Sequence, residues 1–299
     1  MTPTGNTASR FRLRLAALLF GCAAACTATT IDLDEAHAWS PAAGWLDWRG
    51  HGNQGAVMGR YVCEGFVWAP NIGWIHLGNG LPADGIHYAN HGPDTGLNVF
   101  EDYRLRGLAW NGATGWIHFE EQGNPRIDPL TGRLFGYAWS PNLGWINLQG
   151  GPGIRLRTRY LHPGRDSDND GLPDAYELLL TNRLDVLHGD LDSDGDGVSD
   201  RDEYLAGTDP LDPASHFRIL LHAREPEEGL IRLGFTSVPD RLYTVQLSTT
   251  GLEAGHFQPL SLHRAFAGDP GVATFRALAD PGTPRHFIKV EARLPLSPP

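Results

Sequence analysis

The sequence predicts a mainly β, multidomain protein, and three observations support that prediction. A Trp-rich motif recurs over residues 29–160 with the alternation of an antiparallel β domain. Residues 165–213 contain two similar acidic loops, each followed by a short helix-like stretch. Residues 216–299 alternate strand-like stretches with turn signals, which is typical of a C-terminal β-sandwich. A chain of 299 residues is long enough for such a division.

Composition excludes several classes of protein. Hydrophobic residues make up 41% of the chain, which supports a real core and argues against global disorder. The net charge of −11 argues against nucleic acid as a partner. Three Cys are too few for a disulfide framework.

The N-terminus has the pattern of a secretory signal peptide, which we assign to residues 1–28. Arg10, Arg12 and Arg14 precede the short apolar run over residues 15–25. That run is too short to span a bilayer. The alternative interpretation is an N-terminal helix that belongs to the core.

Leu19-Phe-Gly-Cys22 resembles a bacterial lipobox, in which the Cys is acylated. We therefore expect membrane attachment only if the chain is lipidated at Cys22 or Cys26. The predicted location is secreted and extracellular, or the outer cell surface of a bacterium.

The Trp-rich part is an internal repeat with the pattern x-[AV]-W-x-x-x-x-G-W-[IL]. The copies begin at Trp39, Trp68, Trp110 and Trp139, with spacings of 29, 42 and 29 residues, so they form pairs. Each copy predicts a β-hairpin, because turn-forming residues separate two alternating stretches. Four hairpins sharing a core of Trp, Ile and Leu would form a barrel, a sandwich or a stacked array.

The Trp side chains allow two functional interpretations besides a place in the core. Some of them could face solvent as platforms for stacking sugars. Alternatively, Trp74-Ile-His76 and Trp116-Ile-His118 faintly resemble the copper site of the copper-repressible surface proteins of methane-oxidising bacteria. The fourth copy has Asn147 at the matching place, which weakens this likeness.

The whole repeat, roughly residues 37–150, resembles the Gly-Trp-Ile repeats of bacterial secreted and surface proteins. The stretch Gly73–Asn90 is typical of them. This resemblance implies a compartment and no particular activity.

Two acidic loops, 26 residues apart, have oxygen-bearing side chains at positions one, three, five, nine and twelve, Gly at six and a backbone carbonyl at seven. Alternate carboxylates on a tightly curling chain point at one centre. A shell of about six to eight oxygens suits Ca²⁺ better than Mg²⁺. We expect two calcium ions. The predicted ligands are Asp166, Asp168, Asp170, the Leu172 carbonyl, Asp174 and Glu177 in loop 1, and Asp192, Asp194, Asp196, the Val198 carbonyl, Asp200 and Glu203 in loop 2.

The alternative is a solvated acidic linker. Residues 165–213 carry 15 acidic and three basic residues, a density that favours unfolding unless a cation is bound. Two complete loops in succession favour calcium. Asp190 is a further candidate ligand of loop 2.

The acidic segment resembles the bacterial form of the thrombospondin type 3 repeat, and the stretch Asp202–Pro213 carries the likeness. The resemblance implies structural calcium that rigidifies a spacer between modules. A dockerin, which also has paired calcium loops, is the rival family. We predict helices over about 173–182 and 200–205. The residues expected to pack between them are Tyr176, Leu178, Leu179 and Tyr204.

The C-terminal module resembles a fibronectin-III-like domain, with the likeness carried by Phe235–Ser248. This resemblance implies a structural or adhesive module. Six strands are predicted in it, at residues 217–222, 230–235, 243–247, 257–263, 272–275 and 286–292.

The motifs together predict a calcium-binding structural or adhesive protein rather than an enzyme. The sequence contains no Gly-x-Ser-x-Gly elbow, HExxH helix, Walker loop or Rossmann fingerprint. The alternative function is a glycan- or copper-binding surface protein that uses the Trp-rich domain. A partner is not identified; a surface glycan or another cell-surface protein fits this expectation.

Overall fold

A computed structural model of the chain describes residues 28–50, 54–151, 154–225, 230–249, 251, 253, 257–264, 271–278 and 287–298. The prediction of a mainly β fold is confirmed. The predicted signal peptide, with Cys22 and Cys26, lies outside the described residues up to residue 27. None of the helices in the described part of the chain has the length and apolarity needed to cross a membrane.

The Trp-rich part forms a 10-stranded antiparallel sheet and a small two-stranded sheet. The strands are β1 Ile31–Ser40, β2 Gly44–Asp47, β3 Glu64–Ala69, β4 Gly73–Asn79, β5 Leu97–Val99, β6 Leu105–Asn111, β7 Gly115–Phe119, β8 Arg126–Ile127, β9 Leu134–Phe135, β10 Tyr137–Ser140, β11 Gly144–Asn147 and β12 Arg155–Thr158. Each of the four predicted hairpins is present, with its two Trp directly opposite each other.

The four hairpins close into an eight-stranded barrel, because β11 of the last hairpin pairs with β1 of the first. At each seam between hairpins, the residue two positions after the second Trp lies opposite the first Trp of the next hairpin. The four seam pairs are Asp47 with Trp68, His76 with Trp110, His118 with Trp139 and Asn147 with Trp39. This stagger repeats at every seam, as closure of a tilted barrel requires.

The barrel interior is filled by two layers of four side chains, one from each hairpin in each layer. Every member is at most 3% exposed. The layers are Leu46, Ile75, Ile117 and Ile146, followed by Trp48, Leu77, Phe119 and Leu148. The alternate strands contribute smaller residues opposite the first layer, such as Ala38 and Ala138.

The expectation that the repeat Trp residues belong to the core is wrong. All eight lie on the outer face of the barrel, where Trp45, for example, is 44% exposed. The ninth, Trp48, is the buried exception at 2%. An eight-stranded barrel has room for two layers of Leu-sized side chains and has none left for eight indoles.

A ring of hydrogen bonds joins the four turns at one end of the barrel, and its donors alternate with the same two-copy period as the repeats. In copies one and three the donor directly follows the first Trp, whereas in copies two and four it is the Asn within the turn. In each bond the acceptor is a backbone carbonyl of a neighbouring turn. The bonds run from Ser40 Oγ to Leu143 O (3.5 Å), from Asn71 Nδ2 to Ala43 O (3.0 Å), from Asn111 Nδ2 to Ile72 O (3.0 Å) and from Asn142 Nδ2 to Thr114 O (2.9 Å).

The acidic segment contains helices α1 (Asp174–Thr181) and α2 (Asp200–Ala206), close to the predicted ranges. The rings of Tyr176 and Tyr204 pack with centroids 4.6 Å apart, as expected. Leu179 was expected in this contact but is 46% exposed.

The C-terminal module consists of two three-stranded sheets whose facing side chains form a core, as in a β-sandwich. All six predicted strands are present, with ends shifted by a few residues. They are β13 Ile219–Glu225, β14 Leu230–Ser237, β15 Leu242–Ser248, β16 Gln258–Arg264, β17 Gly271–Leu278 and β18 Phe287–Arg293.

Candidate metal centre

Three carboxylates converge in each acidic loop. Asp166, Asp168 and Asp170 bring one oxygen each within 4.8 Å of one another, and Asp192, Asp194 and Asp196 do the same in loop 2. These six residues occupy positions one, three and five of the predicted loops, so the structure brings them together as the spacing indicated.

The two loops are held by the same backbone hydrogen bonds. The N–H at position six donates to the carboxylate at position one, and the N–H at position seven donates to the carboxylate at position five. The bonds are Gly171 to Asp166 Oδ2 (3.1 Å), Gly197 to Asp192 Oδ2 (2.9 Å), Leu172 to Asp170 Oδ1 (2.8 Å) and Val198 to Asp196 Oδ1 (2.8 Å). Gly171 and Gly197 have φ of 93° and 97°, which explains the Gly at position six.

The carboxylates at position nine bind the Ser at position two of their own loops. Asp174 accepts from Ser167 N (2.7 Å) and Oγ (2.6 Å), and Asp200 accepts from Ser193 N (2.9 Å) and Oγ (2.7 Å). They lie outside the three-carboxylate groups of the described residues. Their role as ligands stays a prediction, as does that of the Leu172 and Val198 carbonyls.

Glu177 and Glu203, at position twelve, are both 0% exposed. Neither carboxylate oxygen of Glu177 has a hydrogen-bond partner among the described residues. In Glu203, Oε1 accepts from the Thr208 hydroxyl (2.8 Å) and Oε2 is without a partner there. A buried carboxylate without a partner is costly unless something neutralises it.

The carboxylates of each loop act electrostatically on the Glu of the same loop. Burial, followed by the charges of Asp168, Asp170, Asp174 and Asp166, raises the pKa of Glu177 to about 7. Burial and the charges of Asp194, Asp196 and Asp200 raise the pKa of Glu203 to about 7, against the lowering effect of the Thr208 hydrogen bond.

The donor set therefore fits a hard divalent cation. Every converging side-chain atom is a carboxylate oxygen, and two oxygens of the triad residues, Asp166 Oδ1 and Asp194 Oδ2, are buried without a hydrogen-bond partner among the described residues. Calcium prefers this chemistry and accepts many protein oxygens.

The two loops also contact each other. Asp170 Oδ2 accepts from the N–H of Gly189 (2.8 Å), and the Arg201 guanidinium donates to the Asp170 carbonyl. Arg201 Nη1 also lies 3.3 Å from Asp190, which is exposed and outside the loop 2 cluster. Loop spacing alone gave no signal for these contacts.

A further contact that the sequence analysis missed is His216, whose Nδ1 lies 3.4 Å from Asp196 Oδ2. His216 follows the acidic segment by only a few residues. Its contact with the loop 2 carboxylate depends on the path of the intervening turn.

The family model of the bacterial TSP3 repeat matches residues 166–180 and 192–213. The match covers both acidic loops and both helices, and it supports a calcium-binding, modular extracellular protein as the coarse assignment. The curated proteins and the solved structures compared with the chain gave no match. The likenesses of the Trp repeats and of the C-terminal module to known families stay predictions.

The alternative copper site stays a prediction. Among the described residues, the groups of three or more side chains that could hold a metal ion are the two Asp triads, and neither contains a His. His76 instead packs on Phe66, with ring centroids 4.9 Å apart. His118 pairs with Glu120 at 3.0 Å.

Proposed function

We propose that this chain is a secreted or surface-anchored bacterial protein with a structural or adhesive role, in which two calcium ions rigidify the TSP3 segment between two β domains. We assign it no catalytic activity. The observation that carries the proposal is the pair of fully buried carboxylates, Glu177 and Glu203, behind the two Asp triads. In its ionised form each carboxylate needs a cation in its loop to balance the buried charge.

Contacts of α2 with the C-terminal module support the rigidifying role. The side chain of Arg241 donates to the carbonyls of Leu205 (2.9 Å) and Tyr204 (2.6 Å), at the end of the helix that carries Glu203. Leu294, which follows β18, is 7% exposed and packs with Leu172 and Tyr204. The core of the calcium segment is therefore shared with the C-terminal module.

The same C-terminal stretch also contacts the barrel. The Pro295 carbonyl accepts from Arg60 Nη2 (2.8 Å), and the Leu296 carbonyl accepts from Leu161 N (2.8 Å). Three consecutive residues thus connect both β domains with the segment between them. Ordering that segment with calcium fixes the geometry of all three parts.

Calcium-dependent unfolding of the full chain tests this function. In calcium we expect a higher melting temperature than in EDTA, and resistance of residues 165–213 to limited proteolysis. Magnesium at equal concentration is the control and should stabilise the chain much less. Equal melting and equal cleavage in calcium and in EDTA would contradict the proposal.

A second candidate function, glycan binding by the Trp-rich domain, is favoured by the outward position of the repeat Trp residues. Large exposed aromatic patches mark interaction sites more often than they serve stability. Binding of the full chain to an array of surface glycans tests this candidate. If the chain binds none of the glycans on the array, the candidate function is wrong.

A further inference from the structure

Hairpins three and four present the most open aromatic surface of the barrel. Trp110, Trp116, Trp139 and Trp145 are 43%, 38%, 40% and 46% exposed. They lie on the neighbouring strands β6, β7, β10 and β11, joined by the seam pair of His118 with Trp139. We call this surface the Trp strip; it consists of Trp110, Trp116, His118, Trp139 and Trp145.

The register makes the Trp strip continuous. Trp110 lies opposite Trp116, with ring centroids 4.5 Å apart. In the next row His118 lies opposite Trp139, which lies opposite Trp145. Four adjacent strands span about 14 Å, since neighbouring strands are about 4.8 Å apart. A surface of this width suits an extended ligand better than a single small molecule.

The opposite side of the barrel is more closed at three of its four repeat Trp residues. Trp39, Trp68 and Trp74 are each less exposed than any Trp of the strip, whereas Trp45 stands alone at 44% exposed. Phe66 packs against both Trp74 and His76, with centroid distances of 6.0 and 4.9 Å. The four quasi-equivalent hairpins therefore differ in the surface they offer, although the motif is the same.

The strip is not required by the barrel core, because the interior is already filled by the two layers of smaller side chains. Its aromatic faces are bordered by groups that form hydrogen bonds. Asn147 Oδ1 accepts a hydrogen bond from the N–H of Gln149 (2.9 Å), and Glu120 Oε1 lies 3.0 Å from His118 Nδ1. Aromatic faces bordered by such groups suit a ligand with both an apolar face and hydroxyl edges.

We propose that the Trp strip binds a neutral oligosaccharide, whose sugar rings stack on the indoles while their hydroxyls contact the bordering polar groups. The strip itself carries no Lys or Arg, which argues against an acidic glycan. This inference rests on the second candidate function, glycan binding, and assigns it to one side of the barrel.

The test uses cellohexaose and chitohexaose as probes, with binding followed by tryptophan fluorescence and calorimetry on the full chain in calcium. We expect W110A and W139A each to weaken binding at least about fivefold, because each variant removes one aromatic ring on which a sugar would stack. W45A is the matched control: Trp45 is 44% exposed but lies on β2, across the barrel. Circular dichroism checks that each variant folds.

The outcomes separate the two levels of the proposal. Loss of binding in W110A and W139A with full binding in W45A supports the strip. If all variants bind the oligosaccharides equally, the Trp strip is not the binding surface, although glycan binding by the chain still holds. If neither probe nor any array glycan binds, both fail. Sedimentation with phosphatidylcholine vesicles that is lost in W139A, without oligosaccharide binding, would overturn the proposal in favour of a lipid surface.

Discussion

The N–H of Gly189 donates to Oδ2 of Asp170 over 2.8 Å, so a carboxylate of loop 1 also holds the chain that leads into loop 2. Arg201 strengthens this link through the Asp170 carbonyl. A Cβ on Gly189 would lie 2.3 Å from that carbonyl oxygen, so the close approach requires Gly. The two loops therefore form one unit, and a change in one should be felt in the other.

Replacing Arg201 tests the coupling of the loops. We expect R201A to weaken calcium binding about fivefold, on the order of 1 kcal/mol, because the link between the loops is lost. The loss of a positive charge alone would favour cation binding, so the expected effect has the opposite sign. R183A makes the same charge change at an exposed pair with Asp185 and is the control. Equal affinities of the two variants by calorimetry would contradict the coupling.

Replacing Glu177 should have opposite effects with and without calcium. In EDTA, E177Q should melt at a higher temperature than the parent, since a buried carboxylate without a partner is neutralised. In calcium it should melt lower and bind loop 1 calcium more than about tenfold more weakly, because the loop loses a charged ligand.

Thermal unfolding in both solutions measures the two effects of E177Q. D185N, which removes an exposed acidic charge of the same segment, is the control and should shift neither curve strongly. If E177Q were destabilised equally in both solutions, its role would be structural only.

The stability of the calcium-free chain should depend on pH with an unusual sign. The pKa of Glu177 and of Glu203 is raised from 4.5 to about 7 in the folded chain. Between these values the folded state holds protons that the unfolded state has lost, so stability falls as pH rises. In EDTA the melting temperature should therefore be highest near pH 4.5 and should decline as the pH rises towards about 8. The E177Q/E203Q double variant should flatten this profile, and an equally steep decline in it would refute the assignment.

The pattern of the sequence predicted the hairpins and the loops because both depend on local spacing. It did not show which face of the hairpins points inward. Along each strand apolar residues occupy both faces, such as Ala138 and Trp139, so alternation alone leaves the choice open. The choice is made by volume, since the closed barrel accepts Ile and Leu in its layers but not the repeat indoles.

Contacts between distant parts of the chain were equally hidden from the sequence. Arg241 binds the carbonyls at the end of α2 from a turn of the C-terminal module. Leu294 joins the core around Tyr204, although it lies beyond the last strand of the sandwich. The strand and loop patterns did not indicate these contacts, because the constraint on both residues comes from packing between modules. The loop spacing indicated the ligands but not the support behind them.

Leu294 provides the most direct test of that support. L294A removes a buried side chain that packs beside Tyr204, the neighbour of Glu203, and should lower the free energy of unfolding in calcium by about 2–5 kcal/mol. Because calcium and this core are expected to order together, calcium binding should also weaken. L220A, at a position 45% exposed in the same module, is the control and should change neither quantity strongly. Loss of stability in L294A with an unchanged calcium dissociation constant would show that the core and the loops are independent.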